Sequence, residues 1–360
     1  MAIIRYGAGV IKWTKDEIKR IDRKTRKMMT LYKALHPQAD VDRLYMKRAD
    51  GGRGMISVED CVEIEINSLD KYVKESRESL LRQVKEEGVL GEGTKKEDVL
   101  RRREEQFKAK ALHGQFMKNT EQVRGEGTWK WLKRGNLKKE TEGTLMAAQD
   151  QAIRTNAIKH RIDKQDVSPL CRLCGEREET MSHVVAECKK LAQKEYKKWR
   201  HDKVAQVIHW TLCKKNGFAY QDRWYEHEPE RVLENERTKL LWDFPIQTDH
   251  KLDHNKPDLV LYDKQKRECL IIDVACPFDT RVKQKEKEKI DAYLDLKREM
   301  AKIWKCKKVE IVPIVIGTLG TVHKGFKEWT KKIDVCEQIE LMQKACVLGT
   351  AKIIRRTLEV

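Results

Sequence analysis

The stretch Lys256–Ala275, KPDLVLYDKQKRECLIIDVA, decides the fold of the C-terminal part of the chain. Leu259–Tyr262 and Cys269–Ala275 are apolar runs of strand length, and the polar residues between them predict a turn. Asp258 stands before the first run, and Asp273 lies near the end of the second. A carboxylate in an apolar strand is costly unless it reaches the rim of a sheet or a cation. The stretch therefore predicts a hairpin that brings the two acids together.

The sequence on either side extends this hairpin into an α/β unit. Pro229–Trp242 is rich in charged residues and predicts a helix before the hairpin. A helix rich in Lys and Glu is expected at about residues 280–304, and a buried strand at Val309–Gly317 follows it. Residues 323–357 predict two closing amphipathic helices.

The acid pair suggests a metal site for phosphodiester hydrolysis. Asp258 and Asp273 are expected to bind one Mg²⁺ or Mn²⁺, with a main-chain carbonyl near Val274 as a third ligand. Such a cation, two carboxylates and a lysine are what this hydrolysis requires. The pattern alone also fits two rim carboxylates beside a solvated helix. Glu234 and Glu236 either add a metal-side acid or lie on a solvated face. The following helix offers Lys283, Lys285, Lys287 and Lys289.

A second signature has the spacing of a structural zinc site. The pattern is Cys171-x2-Cys174-x8-His183-x4-Cys188, with Gly175 after the first pair to free its turn. Four nitrogen and sulfur ligands complete a closed tetrahedron, which is typical of structural Zn²⁺ rather than catalytic Zn²⁺. The alternative is four unrelated residues in a chain with ten cysteines and ten histidines. The remaining cysteines show no second ligand spacing and are predicted to be core residues: Cys61, Cys213, Cys269, Cys276, Cys306, Cys336 and Cys346.

The composition favours a polyanionic partner. The 360 residues include 76 Lys and Arg against 58 Asp and Glu, a net charge of +18. Nucleic acid is the first candidate for such a partner, ahead of a membrane surface. Residues 101–140 carry 12 of these basic residues and only 5 acidic ones. His113, Phe116, Trp129 and Trp131 lie among them, and these rings either stack on single-stranded bases or pack on neighbouring segments.

We do not expect a membrane-spanning protein or a secreted protein. The longest apolar runs, Cys269–Ala275 and Ile311–Gly317, are far too short to span a membrane. The N-terminal sequence becomes charged before a signal-peptide core develops, so we expect an intracellular protein, nuclear or cytoplasmic and not secreted. In a reducing compartment, clustered cysteines indicate metal binding more often than disulfides.

Three motifs together resemble the C-terminal part of a non-LTR (LINE-type) retrotransposon polyprotein that carries a restriction-like endonuclease. In that family a CCHC knuckle precedes an R/K-H-D/N element and then a PD…D nuclease core of the PD-(D/E)xK superfamily. Here Arg200-His201-Asp202 stands twelve residues after the knuckle, and Pro257-Asp258 and Asp273 follow. Upstream, Asp22–Gly54 resembles the reverse-transcriptase thumb of such proteins, and Leu132–Thr155 resembles their linker. The shared order of three elements is more specific than any one of them.

The resemblance implies a Mg²⁺-dependent DNA endonuclease that nicks target DNA and so primes reverse transcription. No YxDD-like motif occurs, so the polymerase core is expected to be absent from this chain. The sequence departs from the simple pattern because Ala275 stands two positions after Asp273, where the superfamily name has lysine. Lys289 with Tyr293 fits the K-x3-Y element of the family, so these two are the implied catalytic residues. Lys285, which shares a helical face with Lys289, and Lys287 are competitors.

The resemblance also assigns a nucleic-acid-binding role to Arg200, His201, Asp202 and Lys256. Asp202 fits a helix cap equally well, and His201 fits a local hydrogen bond. The implied partners are a DNA target, element RNA and the missing reverse-transcriptase domain, with no membrane. The competing interpretation is an inactive element remnant that binds RNA or DNA through its knuckle and basic linker. A noncatalytic gag-like protein is a third, disfavoured because gag-type knuckles have four residues between Cys and His.

The expected fold class is a multidomain α+β or α/β protein with a helical N-terminal part, a small zinc knuckle, and a C-terminal, restriction-endonuclease-like mixed sheet flanked by helices. The expected domains are a thumb-like remnant at 1–75, a basic helical linker at 76–168, the knuckle with its RHD element at 169–202, a restriction-like endonuclease core at 203–322, and C-terminal helices at 323–360.

Overall fold

The computed structural model of the chain describes residues 2–8, 10–86, 93–134 and 136–359. The backbone divides into two compact units. Unit 1 comprises Met1–Lys118 and Lys138–Ile153, and unit 2 comprises Asn119–Leu137 and Arg154–Val360. The five domain boundaries expected from the sequence stay a prediction.

Unit 1 is helical wherever it has regular structure. Ser57 caps the helix that begins at Val58, because its side chain accepts a hydrogen bond from the amide of Asp60. Arg43 is fully buried, and its guanidinium pairs with Asp150 and bonds to the side chain of Gln149, which ties two segments far apart in sequence. The α-helices up to residue 161, of which α8 and α10 belong to unit 2, are α1 Ala2–Gly7, α2 Lys15–Leu31, α3 Asp42–Tyr45, α4 Val58–Glu75, α5 Ser79–Glu86, α6 Lys96–Ala109, α7 Gln115–Thr120, α8 Lys130–Lys133, α9 Lys139–Gln149 and α10 Asn156–Arg161.

The aromatic residues of the basic segment are packed inside the protein. Trp129 is 6% exposed and Trp131 is fully buried, and both belong to unit 2. Phe116, in unit 1, is also buried. Of the two interpretations of these rings, the structure shows packing on neighbouring segments rather than stacking platforms open to bases.

Unit 2 contains a five-stranded mixed sheet with the order β1-β2-β3-β4-β5. The first four strands pair antiparallel in sequence order, and β4 and β5 pair parallel. The mixed sheet flanked by helices confirms the coarse fold class expected for this part of the chain, and its likeness to restriction endonucleases stays a prediction. The strands are β1 Val232–Glu234, β2 Thr238–Trp242, β3 Leu259–Asp263, β4 Glu268–Ala275 and β5 Lys308–Val315. The helices are α11 Lys189–Leu191, α12 Asp202–Lys215, α13 Val282–Ala292, α14 Leu294–Ile303, α15 Phe326–Lys332 and α16 Ile339–Leu358.

Helices cover both faces of the sheet, which explains why most residues of β4 and β5 are apolar. On one face, Ile272 and Val274 pack with residues of α12, α15 and α16. On the other face, Cys269 and Ile271 pack with Tyr293 and residues of α14. Because side chains alternate along a strand, Asp273 falls on the face of α13 and α14.

The helix expected at Pro229–Trp242 is wrong, because β1 and β2 form a hairpin there. Its charges resemble a helical surface, but Leu240 and Leu241 are both buried, one on each side of the sheet. The side chain of Asn235 accepts hydrogen bonds from the amides of Arg237 and Thr238 and so stabilises the turn. Pairing with β3 outweighs the local helical preference.

The long helix expected at about 280–304 is interrupted, because it breaks at Tyr293 into α13 and α14. No helix among the described residues is both long enough and apolar enough to cross a membrane.

Candidate active site and metal sites

The register of the sheet places Asp258 and Asp273 opposite each other. Leu259 pairs with Ile272, so the next pair outward along the antiparallel strands is Asp258 with Asp273. Residues directly opposite share one face of the sheet, here the face of α13 and α14. Asp258 continues into the pairing with β2, since its carbonyl accepts the amide of Asp243 at 2.8 Å. The hairpin expected from the sequence therefore brings the acids together.

Asp258 is held by two donors that meet at one carboxylate oxygen. Its Oδ2 accepts a hydrogen bond from the amide of Val274 at 2.7 Å and lies 3.0 Å from Nε2 of His201. The other ring nitrogen of His201 lies 3.0 Å from Oδ1 of Asp202. His201 thus joins the start of α12 to the acid pair.

Asp273 is buried beside a lysine and a tyrosine. Its Oδ2 lies 2.6 Å from Nζ of Lys289, and its Oδ1 accepts the hydroxyl of Tyr293 at 2.8 Å. That hydroxyl also lies 3.3 Å from the carbonyl of Lys256. Lys289 and Tyr293 are one turn apart, so the K-x3-Y spacing presents both to one carboxylate.

Asp258 shifts the pKa values of Asp273 and His201, and His201 shifts the pKa of Asp258. Burial alone would raise the pKa of Asp258, but hydrogen bonds and the charge of His201 hold that pKa below its usual value. Burial and the negative charge of Asp258 raise the pKa of Asp273. Burial opposes protonation of His201, yet its contacts with Asp202 and Asp258 raise its pKa to about 10. Two carboxylates that repel each other form a site that a cation would stabilise.

A cleft of about 600 Å³ opens over the acid pair. Asp258, Asp273, Lys289 and Tyr293 all line it, as does His201. Its lining also includes the acids Glu187 and Asp243 and five basic residues, of which only Lys197 and Arg281 were not anticipated from the sequence. These additional basic residues are Lys197, Arg200, Lys256, Arg281 and Lys285.

The residues assigned to nucleic-acid binding lie in different environments. Arg200 is 1% exposed and donates to the carbonyl of Val185, with its guanidinium over the ring of Tyr196. Asp202 begins α12. Lys256 is partly exposed at the cleft and forms an ion pair with Asp243 at 2.9 Å. Of these side chains, Lys256 is the most accessible to a ligand, whereas Arg200 is buried and makes contacts inside the protein.

The alternative lysines and glutamates differ in whether they line the cleft. Lys285 lines the cleft but pairs with Glu288 at 2.9 Å, and Lys287 is exposed outside the cleft lining. Glu234 ends β1 in ion pairs with Lys239 and Lys264, and Glu236 lies exposed in the following turn. Neither glutamate lines the cleft.

The knuckle residues converge as their spacing suggests. One ligand atom from each of Cys171, Cys174, His183 and Cys188 lies within 4.8 Å of the others. The amide of Leu173 points at Sγ of Cys171 at 3.4 Å. These residues form a cluster that could hold a metal such as zinc.

The backbone around the first cysteine pair favours the thiolate of Cys174, whereas burial raises the pKa of Cys171 to about 11. Gly175 has a φ of +66°, a conformation that L side chains rarely adopt. Backbone hydrogen bonds, first from Glu176, lower the pKa of Cys174. Burial lowers the pKa of His183 and so favours its neutral, ligating form. The donor set and its turn therefore fit Zn²⁺.

A second Cys/His cluster was not anticipated from the sequence. His209, Cys213 and His227 bring their ligand atoms within 4.8 Å of one another, and all three are buried. Cys213 is a core residue as expected, but it has two histidine neighbours. The available signal was the four-residue interval between His209 and Cys213 on a helix.

Comparison with protein-family models found no match, and comparison with curated proteins found none either. The function of the protein is therefore inferred from the chemistry of its site.

Proposed function

We propose that this protein is a Mg²⁺-dependent DNA endonuclease. The observation that carries the proposal is the cleft in which Asp258 and Asp273 face each other with Lys289 beside them. Two carboxylates are suitable ligands for Mg²⁺, and their mutual repulsion favours a bound cation. When bound, such a cation activates water and offsets negative charge on the scissile phosphate.

The protein's own residues orient the acids and stabilise charge. Tyr293 donates a hydrogen bond to Asp273, and His201 and the amide of Val274 hold Asp258. The ammonium group of Lys289 is close enough to Asp273 to act where charge develops on a phosphate in the cleft. Its position supports Lys289, rather than Lys285 or Lys287, as the catalytic lysine.

The basic wall supports a polyanionic substrate. Lys256 and Arg281 lie partly exposed at the cleft, and Lys285 stands on the same wall. These side chains can contact the phosphates on either side of a scissile bond. The net charge of +18 is consistent with nucleic acid as the substrate.

The order of the motifs supports a retrotransposon origin. A CCHC cluster, Arg200-His201-Asp202 and the acid pair follow one another as in the endonuclease of non-LTR elements, and in space His201 contacts Asp258. We propose that the knuckle holds Zn²⁺ and helps to orient DNA near the cleft. We further propose that element RNA and a separate reverse transcriptase are partners, and that nicked DNA supplies the primer.

The test is conversion of supercoiled plasmid to nicked circles by the purified chain with Mg²⁺. An Asp258→Ala/Asp273→Ala double variant, matched to the wild type in plasmid binding, is the control. Nicking by the wild type alone is expected. Equal nicking by both proteins would contradict the proposed site. Binding without nicking, with Mn²⁺ as well as Mg²⁺, would instead favour an inactive element remnant.

A further inference from the structure

Three potential metal ligands meet in the interior of unit 2, away from the acid pair and the knuckle. His209 and Cys213 lie one turn apart on α12, and His227 comes from the segment between α12 and β1. His209 and Cys213 are fully buried, and His227 is 4% exposed. Neither the proposed nuclease site nor the knuckle uses any of them.

The separations are close to those expected around a tetrahedral ion. Sγ of Cys213 lies 3.4 Å from Nδ1 of His209, and the corresponding separation in the knuckle, from Cys174 to His183, is 3.3 Å. Zinc bond lengths place two such ligands about 3.5 Å apart. Nδ1 of His209 lies 2.7 Å from Nε2 of His227, a hydrogen-bond distance. A metal would separate these nitrogens by roughly half an ångström.

Burial favours the neutral, metal-binding form of the two histidines but disfavours the thiolate form of Cys213. Burial and the neighbouring His227 lower the pKa of His209 to about 3, and burial also lowers the pKa of His227, so both rings stay neutral. Burial raises the pKa of Cys213 to about 12, so a thiolate there requires a compensating positive charge. The negative charge of Glu230 acts on both His227 and Cys213 in the direction that attracts a cation.

The cluster is also fixed in position by its neighbours. Gln206 lies one turn before His209 on α12. Its side-chain amide donates a hydrogen bond to the carbonyl of His227. The ring of Trp242 packs edge-on against His209 with centroids 5.5 Å apart. Ligands held in place in this way lose little freedom when a metal binds.

We propose that His209, Cys213 and His227 form a second zinc site. The site links α12 to the segment that leads into the β1–β2 hairpin. Its role is structural, because the three side chains are enclosed. The ordinary alternative is a hydrogen-bonded cluster of two neutral histidines and a thiol, and it predicts no metal.

The metal content of the purified protein distinguishes a second zinc site from a hydrogen-bonded cluster without metal. We expect two zinc ions per purified chain by elemental analysis, and one in a Cys213→Ala variant. Cys346→Ala is the matched control, because Cys346 is equally buried in the same core and lies outside the cluster. The control should keep two ions. One zinc ion in the wild type, or two in Cys213→Ala, would overturn the proposal.

A second measurement covers the case in which Cys213→Ala does not fold. A Cys171→Ser/Cys174→Ser variant, which lacks the knuckle site, is stripped of metal and titrated with Co²⁺. We expect one equivalent to give the visible absorption bands of tetrahedral Co²⁺ with a single thiolate ligand. The absence of these bands would overturn the proposal, whatever the activity of the protein.

Discussion

Lys289 differs from the other lysines of α13 in where its ammonium group lies. It is 2.6 Å from a carboxylate oxygen of Asp273, whereas Lys287 is exposed outside the cleft lining. Loss of one group that stabilises a transition state typically lowers the rate by about 100-fold or more. We expect Lys289→Met to lower the single-turnover nicking rate by about that factor.

Lys287→Met is the matched control for this variant, since it removes the same charge from the same helix. Its nicking rate should stay within about twofold of the wild type. Equal losses in the two variants would show that α13 contributes general positive charge, not a specifically placed ammonium group.

The contacts of individual residues were the least predictable part of the site. The sequence indicates Asp258 and Asp273, because acids at strand ends are a local pattern, whereas the choice of Lys289 is implied by the family resemblance. It does not indicate that Nε2 of His201 lies 3.0 Å from Asp258, because these residues are far apart in the chain and meet only in the packed structure.

At the scale of elements, the sequence predicts the strands that contain a continuous apolar run and misses those in which only short apolar stretches lie among charged residues. β3, β4 and β5 lie close to the expected positions, since each contains a continuous apolar run. β1 lies at the edge of the sheet with β2 beside it, and the charged residues in and around these two strands resemble a helical surface. Their conformation depends on their pairing with each other and on the pairing of β2 with β3, which local propensity does not contain.

Within α13, Glu286 makes the stability of the fold depend on pH. Its carboxylate is buried 2.9 Å from Nδ1 of His323, and burial raises its pKa to about 7. The folded protein therefore binds a proton that the unfolded chain releases at about pH 4.3. The free energy of unfolding should fall as the pH rises from about 4.5 to 7, by up to about 3 kcal/mol.

Glu286→Gln removes this titration. Its melting temperature should gain on that of the wild type between pH 5 and pH 8 in thermal unfolding. Glu288→Gln, two positions later, is the control, because the pKa of Glu288 is lowered by Lys285 rather than raised. A Glu286→Gln variant that follows the wild type at every pH would contradict the assignment.

For the whole molecule, net charge should govern DNA affinity. Each phosphate contact adds about 0.9 to the slope of log affinity against log salt concentration. We expect Arg281→Ala/Lys285→Ala, which removes two side chains of the cleft, to reduce that slope by about two in fluorescence anisotropy titrations. Lys308→Ala/Lys332→Ala is the control, since both of these lysines pair with Glu310 outside the acid cleft. An equal change in the two variants would place DNA elsewhere.

The most direct test of the nuclease assignment compares two aspartates at opposite ends of one strand. Asp258 directly precedes β3 in the cleft, and Asp263 ends β3 away from it. The measurement is the Mg²⁺-dependent nicking rate of Asp258→Asn beside that of Asp263→Asn, with plasmid binding checked for both. The proposed site predicts no detectable nicking by Asp258→Asn and a rate near that of the wild type for Asp263→Asn. Nicking by Asp258→Asn at the wild-type rate would contradict it.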